Sequence, residues 1–304
     1  MKIREIATGL KFPEGPVAMD DGSVILVEIE AGRVTRVKPD GKKQVIAKTG
    51  GGPNGAAIGP DGALYICNNG DNFEYHKRMG LNVPGHTPPH HKGGWIERVD
   101  ISTGKVERLY SEWKGVKLQA PNDIVFDANG GFWFTDHGST THEGRTHGSL
   151  YSAKPDGSHI ERVLYELISP NGVGLSPSGD CVYYAETFTG RLYKLPLKKP
   201  GKPEKVAGFT PGVFVGAFQG LAYFDSLGVQ ADGGICCATL LAGGVTTFHP
   251  ETGKAKHFAL PDPLVTNICW GGKNMKTAFI TASGTGKLLA VDWPKAGLRL
   301  NYNA

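Results

Sequence analysis

Six polar residues stand at the openings of short apolar segments, and together they form a donor set with metal chemistry in it. They open Glu14-Gly-Pro-Val, Asn54-Gly-Ala-Ala, Asn122-Asp-Ile-Val, Asn171-Gly-Val-Gly, Asp225-Ser-Leu-Gly and Asn267-Ile-Cys-Trp. Each offers a carboxylate or amide oxygen, so convergence of all six would give two carboxylates among four neutral amides. That hard, oxygen-rich set suits a divalent metal, Ca²⁺ first, with Mg²⁺, Mn²⁺ or Zn²⁺ as alternatives. No cysteine or paired histidine shares this level, which speaks against a structural zinc site. A single Asn-Gly is a turn dipeptide and nothing more. Six polar residues in phase are different, because packing alone would put apolar or small residues at several of these places.

Convergence requires a repeated scaffold, and the chain carries one. After the first five openings come tight turns at Asp20-Asp-Gly, Pro60-Asp-Gly, Ala128-Asn-Gly, Pro177-Ser-Gly and Ala231-Asp-Gly; Gly271-Gly-Lys takes that place, more weakly, in the sixth. Second strands follow: Val24-Ile-Leu-Val, Leu64-Tyr-Ile-Cys, Phe132-Trp-Phe-Thr, Cys181-Val-Tyr-Tyr, Ile235-Cys-Cys-Ala and Thr277-Ala-Phe-Ile. Third strands such as Gly32-Arg-Val-Thr-Arg-Val and Gly190-Arg-Leu-Tyr-Lys-Leu lead through a further turn to a fourth. β-runs joined by Asp-Gly or Asn-Gly are hairpins. The openings lie 40, 68, 49, 54 and 42 residues apart. This period predicts an all-β, six-bladed β-propeller with four antiparallel strands per blade, a single domain over residues 1–304. Its 44 glycines and 20 prolines leave little room for long helices. In a propeller the innermost strand of each blade lines the central channel, so the six openings meet at the axis.

Composition removes several classes of function. Hydrophobic content of 39% and charged content of 20% suit a soluble globular protein, and the net charge of +4 is small. Lysines and arginines are scattered, as at Lys42-Lys43 and Lys198-Lys199, so no nucleic-acid partner is expected. No apolar run reaches the ~20 residues that span a bilayer, and Met-Lys-Ile-Arg-Glu-Ile has no signal-peptide core, so neither membrane association nor export is expected. Cys67, Cys181, Cys236, Cys237 and Cys269 all fall within strands; reduced core thiols in a cytoplasmic protein are the expectation. Oligomeric state leaves no readable trace.

Two insertions interrupt the repeat, at about residues 72–95 and 137–148. The first carries His76, His86, His90 and His91; the second carries His137, His142 and His147. Long loops on a rigid scaffold often cover a site. His137, directly after the Thr135-Asp136 strand end, is the one expected to face the pocket and contact substrate.

The chain resembles the senescence-marker-protein-30/gluconolactonase family of six-bladed propellers over about residues 5–292. Leu10-Lys-Phe-Pro-Glu-Gly-Pro looks like the family's first motif, whose glutamate is a metal ligand, here Glu14. Pro121-Asn-Asp-Ile-Val-Phe-Asp with Gly131-Phe-Trp-Phe-Thr-Asp is similar to the third-blade motif, whose asparagine lies by metal and substrate, here Asn122. Ser169-Pro-Asn-Gly-Val-Gly-Leu-Ser matches the segment that supplies an asparagine ligand, here Asn171. Phe224-Asp-Ser-Leu-Gly lines up with the family's Pro-Asp-Gly segment, whose aspartate is both metal ligand and general base, here Asp225. Family members acting on sugar lactones can carry an arginine just before the third-blade asparagine. This chain has Gln119-Ala120-Pro121 there.

The resemblance implies metal-dependent opening of a lactone ring. Glu14, Asn171 and Asp225 would hold the ion, Asp225 would take the proton from water, and Asn122 and Asn54 would bind substrate. Two other classes stay open at this level. One is a propeller esterase or phosphotriesterase-type hydrolase. The other is a non-catalytic metal-binding or scaffold propeller, which would have no need for two carboxylates facing each other across the axis. No Gly-x-Ser-x-Gly elbow supports a serine hydrolase.

Overall fold

Short strands and Asp-Gly turns fold this chain into six antiparallel sheets arranged around an axis, each of four main strands, the fourth with a short fifth, as seen in a computed structural model that describes residues 1–199, 201–205 and 212–303. The inner strands are Pro13–Ala18, Pro53–Ile58, Pro121–Phe126, Pro170–Leu175, Tyr223–Val229 and Val265–Gly271. They neighbour one another in cyclic order, first against sixth, which closes the ring. Blades one to five are built from consecutive strands, apart from an extra hairpin in blade two and the short strand Lys202–Pro203 in blade four. Blade six takes its outer strand from the N-terminus, with Ile3–Ala7 pairing antiparallel to Lys287–Asp292. The two ends of the chain thus share one sheet, which removes the seam where a ring could open.

The hairpins behave as the sequence requires. Gly22 and Gly62 sit at φ +79° and +74°, the left-handed region that a side chain resists. In blade six the turn falls at Gly272 to Lys276 rather than at Gly271-Gly-Lys, and Met275 takes the left-handed place at φ +54°.

Side chains alternate across each strand, so both faces of a blade meet a neighbour and both are apolar. One buried cluster fills each of the six gaps between blades. Ile25, Val27, Ile58, Leu64 and Ile66 join blades one and two, and Tyr65, Phe126, Phe132, Phe134 and Tyr151 join two and three. Trp133, Leu150, Val182 and Tyr184 join three and four; Tyr183, Phe224, Ile235 and Phe248 join four and five. Trp270, Ile280 and Val291 join five and six, and Leu26 with Leu288 joins six and one. The five cysteines are free thiols inside this packing, four buried and Cys269 half-buried. Among the described residues no helix is long and apolar enough to cross a membrane.

Candidate functional site at the channel mouth

The residue ending the second strand fixes the lead-in to the inner strand in four blades. Glu28 accepts a hydrogen bond from the Lys11 amide at 2.8 Å, and Asn68 Oδ1 one from the Gly52 amide at 2.9 Å. Asp136 accepts from the amides of Gln119 and Ala120, both at 2.7 Å, and Glu186 from that of Ile168 at 2.7 Å. Each contact lies two or three residues before a site residue, so these buried oxygens set where the inner strand begins.

All six inner strands then slip register at their first residues. In blades two to five the unpaired residues are the site residue and its successor: 54–55, 122–123, 171–172 and 225–226. A bulge frees the backbone and re-aims the side chain, and such bulges recur next to active sites. The freed amide is often caught by a site side chain. Glu14 Oε2 accepts from Gly15 N at 2.6 Å and Asp225 Oδ1 from Ser226 N at 3.1 Å; in blade six, where Thr266 is the unpaired residue, Asn267 Oδ1 accepts from Ile268 N at 2.7 Å. The ring is tight. A Cβ on Gly15, itself at φ +50°, would lie 2.5 Å from the Asn54 carbonyl oxygen, and one on Gly172 would lie 2.5 Å from Leu227 N.

Glu14, Asn54, Asn122, Asn171 and Asn267 are buried, at 2%, 4%, 3%, 5% and 6% exposure, while Asp225 is half-buried and the most accessible of the six. Contacts link them around the axis. Asn267 Nδ2 donates to Glu14 Oε2 at 2.7 Å, and Ser226 Oγ to Asn171 Oδ1 at 3.4 Å. Asn171 Nδ2 donates to Thr187 Oγ1 at 3.1 Å.

The electrostatics are those of crowded, dehydrated acids. Burial, reinforced by the charge of Asp225, pushes the Glu14 carboxyl well above the usual carboxylate range. Burial also lifts Asp225 to about 7, with the neighbouring charge of Asp123 adding to the effect and the Asn171 amide opposing it. Asp123 itself is raised to about 7 by burial, against the pull of the Val173, Ile124 and Leu227 amides. Sequence reasoning passed over this third carboxylate. A signal was present: Asp123 stands where Gly15, Gly55 and Gly172 stand in other blades.

Two buried oxygens at this level, Glu14 Oε1 and Asn122 Oδ1, have no hydrogen-bond partner among the described residues. The Asn122 oxygen is an acceptor only, and the Glu14 oxygen is one whenever its carboxyl is ionised. Among the described residues no three His, Cys, Asp or Glu side chains cluster as ligands, so a metal here needs amide oxygens as well. Glu14, Asp225 and Asn171 would give such a mixed set, two carboxylates and one amide. Unpartnered acceptors beside mutually repelling carboxylates fit a hard dication.

His137 lies at the rim, 5% exposed, with its ring between Phe73 and Phe188 at centroid distances of 6.1 and 5.9 Å. Burial lowers its pKa to about 4, so near neutrality it is an uncharged contact group. Most of the other loop histidines face solvent; His90 meets Asp71 at 3.2 Å, and the half-buried His91 bridges the carbonyls of Gly70 and Gln119. A cavity of about 220 Å³ fills the far half of the channel, lined by apolar residues such as Val125, Leu175 and Val229. The C-terminal segment covers it, Leu298 N donating to Val229 O at 2.9 Å and Asn301 Nδ2 to Phe126 O at 2.9 Å. Gly15, Asp123 and Asn267 also line it, so the cavity reaches up to the ring of polar residues.

Known proteins fit this geometry. The family model for the SMP-30/gluconolactonase/LRE-like region matches residues 12–284. A gluconolactonase from Zymomonas mobilis is 24% identical over 92% of this chain and 79% of its own length. A diisopropyl-fluorophosphatase from Loligo vulgaris is 26% identical over 93% of this chain and 90% of its own. A crystal structure of the calcium-binding protein regucalcin from Agrobacterium tumefaciens superposes with a TM-score of 0.72 at 17% identity, covering 98% of both chains. With the match extending from the first inner strand into the sixth blade, the chain belongs to the SMP-30/gluconolactonase/LRE-like family.

Proposed function

We propose that this protein is a divalent-metal-dependent lactonase, Ca²⁺ being the first choice of ion. The observation that carries the reading is Glu14 Oε1, a buried carboxylate oxygen without a partner, in a ring that also holds Asp225 and four asparagines. Relatives in the same family include a gluconolactonase. Glu14, Asn171 and Asp225 would hold the ion. When bound, a divalent cation supplies Lewis acidity at the ester carbonyl and offsets charge on its oxygen.

Asp225 is the base. As a carboxylate it accepts a proton from water, while the water oxygen bonds to the carbonyl carbon. The ring C–O bond then breaks, and the same proton passes from Asp225 to the departing alkoxide, giving the open hydroxy acid. Asn122 and Asn54 are the substrate-facing amides, and the neutral His137 imidazole is a further contact. The fixed positions of Asn122 and Asn54 on bulged strands keep those two amides preorganised for the charge that develops.

The likeness to a diisopropyl-fluorophosphatase favours one second reading, in which the same groups attack a phosphoester-type electrophile. Initial rates on sugar, aliphatic and aromatic lactones and on diisopropyl fluorophosphate separate the two, measured by pH-stat after chelation and after adding back each ion. Lactone turnover lost on chelation and restored by one ion supports the first reading. Inertness on every lactone with every ion sinks it.

A further inference from the structure

The insertion of blade two reaches across the mouth. Its hairpin, Tyr75–Arg78 paired with Leu81–Pro84, starts from blade two and docks on distant blades. Asn82 N donates to Gly284 O of blade six at 2.8 Å, and Asn82 Nδ2 to Glu30 Oε2 of blade one at 2.8 Å. Tyr75 and Val83 pack on the cluster of Phe12, Ile29 and Leu264, with Leu240 of blade five alongside. On the other side Thr87 N donates to Thr140 O of the blade-three insertion at 2.8 Å. A two-stranded strap therefore lies over the ring from blade three to blades five and six.

Tyr75 is the residue this strap brings to the site. Its ring sits against Phe12, two residues from Glu14, at a centroid distance of 5.2 Å. Its hydroxyl is buried and has no hydrogen-bond partner among the described residues. Glu14 Oε1 and Asn122 Oδ1 are open in the same sense, yet neither meets the hydroxyl. A donor and two acceptors left unpaired at one mouth call for an occupant with complementary groups: an acceptor oxygen for the tyrosine, positive charge for the others. An ester bound beside a dication has both. The hydroxyl stays protonated, because burial together with the charges of Glu30, Asp71, Glu14 and Asp225 pushes it well above the ordinary phenol range. Docking of the strap relies on the ring and on Asn82, not on the hydroxyl.

We propose that Tyr75 is a substrate-binding residue whose hydroxyl, carried over the mouth by the 75–84 hairpin, donates a hydrogen bond to an ester oxygen of the lactone. The assignment rests on the lactonase reading and adds to it a donor from outside the ring of inner strands. It also makes the strap part of the site, so a substrate must fit beneath it, which favours small lactones over polymeric esters.

The experiment is steady-state kinetics of Tyr75→Phe on whichever lactone the wild type hydrolyses, with Ca²⁺ affinity and Tm measured in parallel. Phenylalanine keeps the ring against Phe12 and removes only the donor. The expected result is a fall in kcat/KM of about 10–100-fold, the loss of one preorganised neutral donor. Ca²⁺ affinity should stay within twofold, Tm should not fall, and the pH profile should keep its shape. A kcat/KM within twofold of wild type overturns the proposal. So does an equal loss in Asn82→Ala, which loosens the strap without touching the hydroxyl and would show that docking alone matters. A wild type inert on all lactones overturns the lactonase reading first, and is visible before any variant is made.

Discussion

Glu14 and Glu28 sit on neighbouring strands of one blade, are both almost fully buried, and have opposite fates. Glu28 is saturated with donors: Arg33 Nε at 2.8 Å and Nη2 at 2.9 Å, Thr35 Oγ1 at 2.6 Å and the Lys11 amide at 2.8 Å. Burial acts to raise its pKa, yet those donors together hold it below the ordinary value. Glu14 receives two donors on one oxygen and none on the other, and its pKa is driven up by burial and by Asp225. The difference separates two uses of a buried carboxylate. A carboxylate whose partners are all within the chain supports the fold; one whose partners are withheld is reserved for a ligand.

The largest expected effect breaks the reserved set. Asp225→Asn removes the base and should lower kcat on the lactone by about 10²–10⁴-fold. A loss below tenfold would place the base elsewhere.

Next comes the saturated carboxylate. Glu28→Ala leaves Arg33 unpaired, and because that guanidinium is about a third exposed the cost should be near 2 kcal/mol, or roughly 3 °C in Tm. Calorimetric unfolding measures it, and kcat/KM should stay within about fivefold. A large rate loss without a fall in Tm would erase the distinction drawn here.

The two sets also differ in the sign of their pH dependence. Asp225 and Asp123 titrate near 7 when folded and near 4 when unfolded. Between those values the folded state holds more protons, so their contribution makes stability fall as pH rises. Glu28, with its lowered pKa, contributes stability that is present above about pH 4.5 and lost as pH falls through its folded value. Chelated protein should therefore lose Tm from pH 5 to 7.5, Asp225→Asn should lose less, and Ca²⁺ should reverse the loss. A chelated protein whose Tm is flat or rises over that range contradicts the account.

The smallest effect is at His137. His137→Gln should change kcat/KM by less than about tenfold and leave the pH profile in place, since the imidazole is already neutral above about pH 4. A shifted acidic limb would make it a proton carrier instead.

Much of this was legible in the sequence, because propeller repeats write structure as local pattern. The Asp-Gly turns and polar openings located the blades and brought Glu14, Asn54, Asn122, Asn171, Asp225 and Asn267 to one level. Blade six was harder. Its turn uses Met275 in a left-handed conformation that no sequence rule selects, and its outer strand comes from residues 3–7 at the far end of the chain. Asp123 was hidden because its neighbour Asn122 already filled the repeat position. Tyr75 left no signal at all. Its place depends on a loop crossing from one blade to others, and such a path is set by tertiary contacts rather than by local pattern.

Titration calorimetry of Ca²⁺ into chelated protein tests the central distinction most directly, comparing wild type with Glu14→Gln and Glu28→Gln. The account predicts that Glu14→Gln weakens binding by at least about a hundredfold, while Glu28→Gln leaves it within about threefold. Equal binding by wild type and Glu14→Gln would contradict it, and Glu14 would then be one more buried acid of the fold.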